Sequence, residues 1–174
     1  MMVDTELKKK DFARFNSALE CAVLAIDQFY FLVPRANSKS VYRERVYCYE
    51  LYHQLKLQLK KMKFSSEYSL NGELDKVGTK SLKGKKPDFI FHQPGDDYHN
   101  LLTMEVKSSR YDVASFCDDI RKLKFFQKEK DYFGGIMLIY GDVDVHVQQE
   151  IRGTLTNNIL CYIHGFPGNK PEKI

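Results

Sequence analysis

The stretch KKPDFIFHQPGDDYHNLLTMEVKSS, residues 85–109, decides how this chain is read. Two runs within it, DFIFH at 88–92 and LLTMEVK at 101–107, have the aromatic and aliphatic content of strands. Between them QPGDDYHN has the composition of a hairpin loop, although it is longer than the commonest ones. Asp88, Glu105 and Lys107 stand in these runs where a buried strand would avoid charge. If the runs pair antiparallel with His92 opposite Leu101, then Ile90 meets Thr103 and Asp88 meets Glu105. Alternation puts Phe89, Phe91, Leu102, Met104 and Val106 on one wholly apolar face, and Asp88, Ile90, His92, Thr103, Glu105 and Lys107 on the other. Directly opposed residues hold their Cβ atoms about 4.5–5.5 Å apart. Two carboxylates at about 5 Å repel by roughly 3 kcal/mol at an effective dielectric near 20, so the pairing calls for compensation. A hard divalent cation such as Mg²⁺ or Mn²⁺ supplies it, because these ions take one or two carboxylates together with water and substrate phosphate. Lys107 beside such an ion is placed to stabilise charge, and the ion's proximity would lower the lysine's own pKa.

Outward from this stretch the periods change. Phe12, Phe15, Leu19, Ala22, Ile26, Phe29 and Val33 recur at spacings of three and four, predicting one long helix stopped by Pro34. The same stripe fits packing against the domain or homodimerisation. After RANSKS, Ser40 is the expected N-cap of a second helix, with Val41, Cys48, Leu51 and Leu55 on its apolar stripe. Position 44 falls inside that stripe and is a glutamate; Glu50 falls on the opposite, solvent side. A weak strand is expected after residue 64, then a lysine-rich loop. Beyond the two clear strands, YDVASFCDDIRKLKFFQKEKDYF predicts a helix burying Val113, Phe116, Ile120, Leu123 and Phe126 and ending at Gly134-Gly135. GIMLIYG predicts a central strand covered on both faces. VDVHVQQEIRGTL fits helix or strand, NILCYIHG a strand, and the tail FPGNKPEKI a frayed end.

Length and composition bound the rest. The 174 residues suit one domain, or one domain with a helical extension. A net charge of +4 is compatible with a polyanionic partner without requiring one. Cys21, Cys48, Cys117 and Cys161 show no zinc-type spacing and read as reduced and buried. No signal-peptide h-region and no membrane-spanning apolar run occurs, so a cytoplasmic protein without a membrane partner is expected.

Pro87-Asp88 followed by Glu105-Val106-Lys107 resembles the PD-(D/E)XK nuclease superfamily. The resemblance implies an α/β, restriction-endonuclease-like fold, a mixed β-sheet core flanked by helices. That domain would span 37–174, with an N-terminal helical extension over 1–36. It further implies Mg²⁺- or Mn²⁺-dependent phosphodiester hydrolysis of nucleic acid, most simply by a DNA endonuclease of restriction or defence type. Asp88 and Glu105 would ligate the ion, with the Val106 carbonyl and a glutamate of the first core helix. Lys107 would assist the nucleophilic water. Glu44 is the choice for the helix glutamate because it interrupts the apolar stripe; Glu50 is the second choice. Lys83, Lys85 and Lys86, preceded by Lys76 and Lys80, would track the nucleic-acid backbone. The superfamily also holds members without nuclease activity, so the rival reading is a nuclease-fold module that binds nucleic acid or a protein partner.

Several further residues have plain readings. Glu73 reads as an edge or turn residue, and His92 as a structural histidine on the site face. Lys122, Lys124, Lys128 and Lys130 read as a solvent face of their helix, and the tyrosines of VYRERVYCYELYHQL as packing.

Overall fold

A computed structural model describes residues 2–72, 86–96, 99–156 and 158–174. In chain order these form α1 (Met2–Leu24), α2 (Gln28–Phe31), β1 (Val33–Arg35), β2 (Ser38–Val41), α3 (Glu44–Leu59), β3 (Ser69–Gly72), β4 (Phe89–His92), β5 (Asn100–Ser108), α4 (Val113–Glu129), β6 (Gly134–Tyr140), α5 (Val145–Thr154), β7 (Ile159–His164) and β8 (Glu172–Lys173). Strands β3 to β8 make one sheet in sequence order, and β1 with β2 a separate hairpin. The β5–β6 and β6–β7 pairs are parallel, and the outer pairs are antiparallel. The parallel pairs require crossovers, which α4 and α5 supply. The result is a mixed sheet with helices on both faces.

The two faces follow from alternation along the strands. Phe89, Phe91, Leu102, Met104 and Val106 share one core with Phe12, Phe15 and Leu19 of α1 and Tyr47, Leu51 and Leu55 of α3. Met137, Ile139, Cys161 and Ile163 face the other way, against Phe116, Ile120 and Leu123 of α4 and Ile151 of α5. Ile90 packs with Phe126 and Tyr132, on the face opposite Phe89 as alternation requires.

The β4–β5 register pairs Ile90 with Thr103 as expected, but a bulge shifts the far end, so His92 opposes Asn100 and not Leu101. Other boundaries differ for identifiable reasons. The first helix stops at Leu24 because the Asp27 carboxylate accepts the Phe29 N–H at 2.8 Å and starts α2. A short polar side chain here competes with the helix for backbone groups. That turn sends Phe31 into the core and leaves Phe29 outside. Ser40 caps no helix; it lies in β2, whose hairpin turns at Asn37 with φ +58, a conformation that asparagine tolerates. Arg43 precedes α3 instead. Helix α4 ends at Glu129, and Gly134 and Gly135 belong to β6. A Cβ at Gly134 would lie 2.8 Å from the Phe12 ring and from the Asn158 carbonyl, so this glycine lets α1 rest on the sheet. The ambiguous segment after β6 is helical, and the tail is no frayed end: Glu172 and Lys173 pair with Ile163 and Tyr162, and the Ile174 N–H donates to Cys161 O at 3.1 Å. The four thiols are unbridged, but only Cys161 is buried. Among the described residues no helix is long and apolar enough to cross a membrane.

Candidate functional site

Strand β5 runs past the start of β4: its pairing with β4 ends at Met104, and Glu105 to Ser108 continue beyond. The Val106 N–H would then lack a partner on the β4 side, and a buried backbone donor needs one. Asp88, at the bend into β4, supplies it, its Oδ2 accepting the Val106 N–H at 2.7 Å. This contact joins the two motif halves.

Glu105 points to the α4 side and is 3 % exposed. Its Oε2 lies 2.7 Å from Lys122 Nζ, while its buried Oε1 has no hydrogen-bond partner among the described residues. Lys107 reaches the same side, donating to Asp119 Oδ2 at 2.6 Å, with its Nζ 4.8 Å from the Tyr111 ring centre. Lys122 also lies 3.5 Å from Asp119 Oδ1 and donates to the Lys86 carbonyl at 3.2 Å. From the other layer Glu44, the first residue of α3, faces Asp88, Lys107 and Asp119 and meets the Ser108 N–H. Its Oε2 is buried without a hydrogen-bond partner among the described residues. A helix N-terminus favours such an anion.

Burial, then the nearby Asp88 charge, pushes Glu105 well above the usual carboxylate range, although Lys122 pulls it back. Burial likewise raises Asp88 against the opposing Val106 N–H, and raises Glu44 with help from Asp88. Burial works to lower Lys107, but the Asp119 hydrogen bond and the charges of Asp119, Glu44 and Glu105 outweigh it and hold the ammonium above its ordinary value. Lys122 is raised in the same way, burial being overcome by Glu105. The surrounding carboxylates therefore hold Lys107 as an ammonium. Four carboxylates, those of Glu44, Asp88, Glu105 and Asp119, surround two ammoniums, an excess of two negative charges when all are ionised.

Asp88, Glu105, Lys107 and Glu44 are thus brought together, and Glu50 is not: it accepts from Gln54 Nε2 at 2.7 Å along its own helix. Val106 joins through its backbone, its side chain lying in the core. His92 is buried at the far end of β4, about 13 Å along the strand from Asp88 at ~3.3 Å per residue. Lys86 is exposed; Lys76, Lys80, Lys83, Lys85 and Glu73 lie outside the described residues. Asp119 was not foreseen, and Lys122, expected on the solvent face, turns inward with its side chain 20 % exposed. Asp119 carries the signal that found Glu44, an acid inside the apolar stripe Phe116, Ile120, Leu123.

Glu44 and Asp88 open on a groove of about 640 Å³, with Arg45, Tyr49, Tyr52 and Phe89 among its other walls. Among the described residues no three His, Cys, Asp or Glu side chains converge as a ready metal cage. Comparison with protein-family models, with curated proteins and with solved structures gives no match.

Proposed function

We propose that the chain is a divalent-metal-dependent phosphodiesterase acting on nucleic acid, a DNA endonuclease of restriction or defence type on a restriction-endonuclease-like fold. The observation that carries the reading is the meeting of Asp88, Glu105, Lys107 and Glu44 where β5 outruns β4, beside an open groove. Mg²⁺ or Mn²⁺ fits the donor set. Two buried carboxylate oxygens, Glu44 Oε2 and Glu105 Oε1, have no hydrogen-bond partner among the described residues, and the cluster has an excess of negative charge. The lack of a three-residue cage is no obstacle, because Mg²⁺ is usually held by one or two carboxylates with waters and substrate phosphate.

Asp88 and Glu105 would hold the ion, and Glu44 from α3 would join them through a bound water. An extended residue points its N–H and C=O to the same side, so the Val106 carbonyl shares the Asp88 side with its N–H. When bound, the ion supplies Lewis-acid stabilisation of phosphate charge and an acidified water. The protein's own residues do the rest. Lys107 presents a fixed positive charge to the phosphate and the attacking water, and Asp119 keeps its Nζ protonated and aimed. Asp88 locks β5 against the start of β4, which fixes Glu105 and Lys107 on one strand relative to itself.

Cleavage of plasmid and oligonucleotides in Mg²⁺ tests this, comparing the wild type with Lys107→Ala and Asp88→Ala. Removal of one preorganised electrostatic group costs about 100- to 1000-fold, so both variants should fall by at least ~100-fold. Equal activity in all three proteins would mean a contaminant or another site.

One observation favours the rival, a non-catalytic nuclease-fold module: Lys122 and Lys107 already lie on Glu105 and Asp119, as lysines replacing a metal would. Mn²⁺ titration by calorimetry separates the two, since a lysine-neutralised cluster binds no ion.

A further inference from the structure

The tyrosines of α3 do not behave alike. Tyr47 is fully buried, stacked on Tyr140 with ring centres 4.0 Å apart. Tyr52 lies nearly parallel to Phe89 at 6.2 Å, with its hydroxyl on the Leu70 carbonyl at 3.2 Å, so that ring is a fixed part of the groove. Tyr49 is 66 % exposed, and no hydrogen bond or ring contact joins it to another described residue. Single exposed aromatics are ordinary on protein surfaces. This one is different in its place: it lines the same groove as Glu44 and Asp88.

Spacing sets what could lie there. Residues 45, 48, 49 and 52 fall on one side of α3, next to the buried stripe of Tyr47, Leu51 and Leu55. Tyr49 is five residues from Glu44, about 7.5 Å along the helix axis at ~1.5 Å per residue. Both residues line the same groove, so a strand that passes from one to the other stays within it. A polynucleotide with a phosphate at the acidic cluster therefore carries a neighbouring base past the Tyr49 ring. Arg45, on the same wall, is positively charged and suits the adjoining phosphates. Bases within a duplex offer only their edges in the grooves, whereas an unpaired base offers a face.

We infer that the groove of Glu44, Asp88 and Tyr49 takes an unpaired segment of nucleic acid, one base of which stacks on the Tyr49 ring beside the acidic cluster. The inference builds on the phosphodiesterase reading and narrows its substrate to single strands or frayed ends.

The test uses the full chain with Ca²⁺ held constant, and reads the anisotropy of a labelled oligothymidylate and of a labelled blunt duplex. Stacking on an aromatic ring accounts for about 5- to 140-fold in affinity, so Tyr49→Ala should weaken single-strand binding by that factor and leave duplex binding unchanged, while Tyr49→Phe keeps the affinity. The chain has no tryptophan, so Tyr49→Trp introduces a single reporter at this position. Its emission should be quenched by the single strand and not by the duplex. Wild-type affinity of Tyr49→Ala for the single strand, or unchanged Tyr49→Trp emission at saturation, overturns the inference. Mg²⁺-dependent cleavage of duplex DNA with no role for Tyr49 would remove this inference alone. Tyr49-dependent binding without hydrolysis under any divalent cation would uphold the stacking site and remove the hydrolase reading.

Discussion

At position 105 a carboxylate with 3 % exposure keeps one oxygen on Lys122 and leaves the other without a hydrogen-bond partner among the described residues. Burial with the Asp88 charge outweighs Lys122, since the group is held well above the usual range. Ionised Glu105 therefore costs folding free energy at neutral pH, and Glu105→Gln should stabilise the metal-free protein. A gain of about 1 kcal/mol corresponds to roughly 2–4 °C in a domain of this size. A cation at hundredfold its Kd would add about 2.7 kcal/mol to the wild type, and Glu105→Gln should lose most of that increment. Thermal melts with and without Mn²⁺ give both numbers; a variant that melts lower without metal would sink the argument. His164 offers a separate check. It is 0 % exposed, shares a 2.9 Å hydrogen bond with the Tyr47 hydroxyl, and burial pushes its pKa down from 6.5 to about 4. Between those values the unfolded chain binds a proton that the folded chain refuses, so this contribution is complete above pH 6.5 and is lost as pH falls towards 4. The loss is about 3 kcal/mol at 1.36 kcal/mol per unit. Urea melts at neutral and acidic pH, compared with His164→Gln, should show the wild type losing more by that amount. The buried carboxylates, whose titration acts in the opposite direction, cancel in the comparison.

At the scale of elements, the sequence carried the faces of the sheet better than the ends of the helices. Alternation alone sorted Phe89, Phe91, Leu102, Met104 and Val106 from Ile90, Glu105 and Lys107, because the period of a strand leaves no other choice. Helix ends depend on single side-chain contacts, as with Asp27 on Phe29 N–H, which hydrophobic spacing does not register. The same limit hid Lys122: its aliphatic stem lets a lysine beside the apolar stripe turn inward once a buried glutamate attracts it, and that glutamate comes from another element. Asp119 carries the same signal as Glu44, an acid inside the apolar stripe of a helix packed on the sheet. Gly134 shows a constraint no local pattern carries, since its lack of a side chain answers to Phe12 across the fold. Gly134→Val should thus destabilise by about 1–3 kcal/mol through overpacking, seen as a lower urea midpoint with an unchanged slope. Gly153→Val in α5, where nothing lies within 4 Å of a Cβ, meets no such clash and should not lower the midpoint.

For the whole molecule the question is whether residues 1–36 are an appendage, as a boundary at 36 implies. Phe12, Phe15, Leu19, Val23 and Ile26 are each 6 % exposed or less and belong to the same core as β4, β5 and β6. Asp11, fully buried, ties α1 to the turn after α3 by accepting the Ser65 N–H at 3.0 Å and the Ser65 hydroxyl. Burial of a large apolar side chain stabilises by about 1.5–3 kcal/mol, so these five together contribute about 8–15 kcal/mol. That equals the whole stability of a typical domain, about 5–15 kcal/mol. A chain beginning at residue 27 would expose the underside of β5 and β6 to water and should not fold. The expected result is a truncated protein that is insoluble or lacks a cooperative melt, while Phe29→Ser, at a site 57 % exposed, melts as the wild type does. Addition of a peptide spanning residues 1–26 should restore a cooperative transition, because it supplies the apolar side chains that the shared core lacks. A soluble, cooperatively folded 27–174 fragment would show instead that the helix is an accessory, and that its apolar stripe is open to another chain.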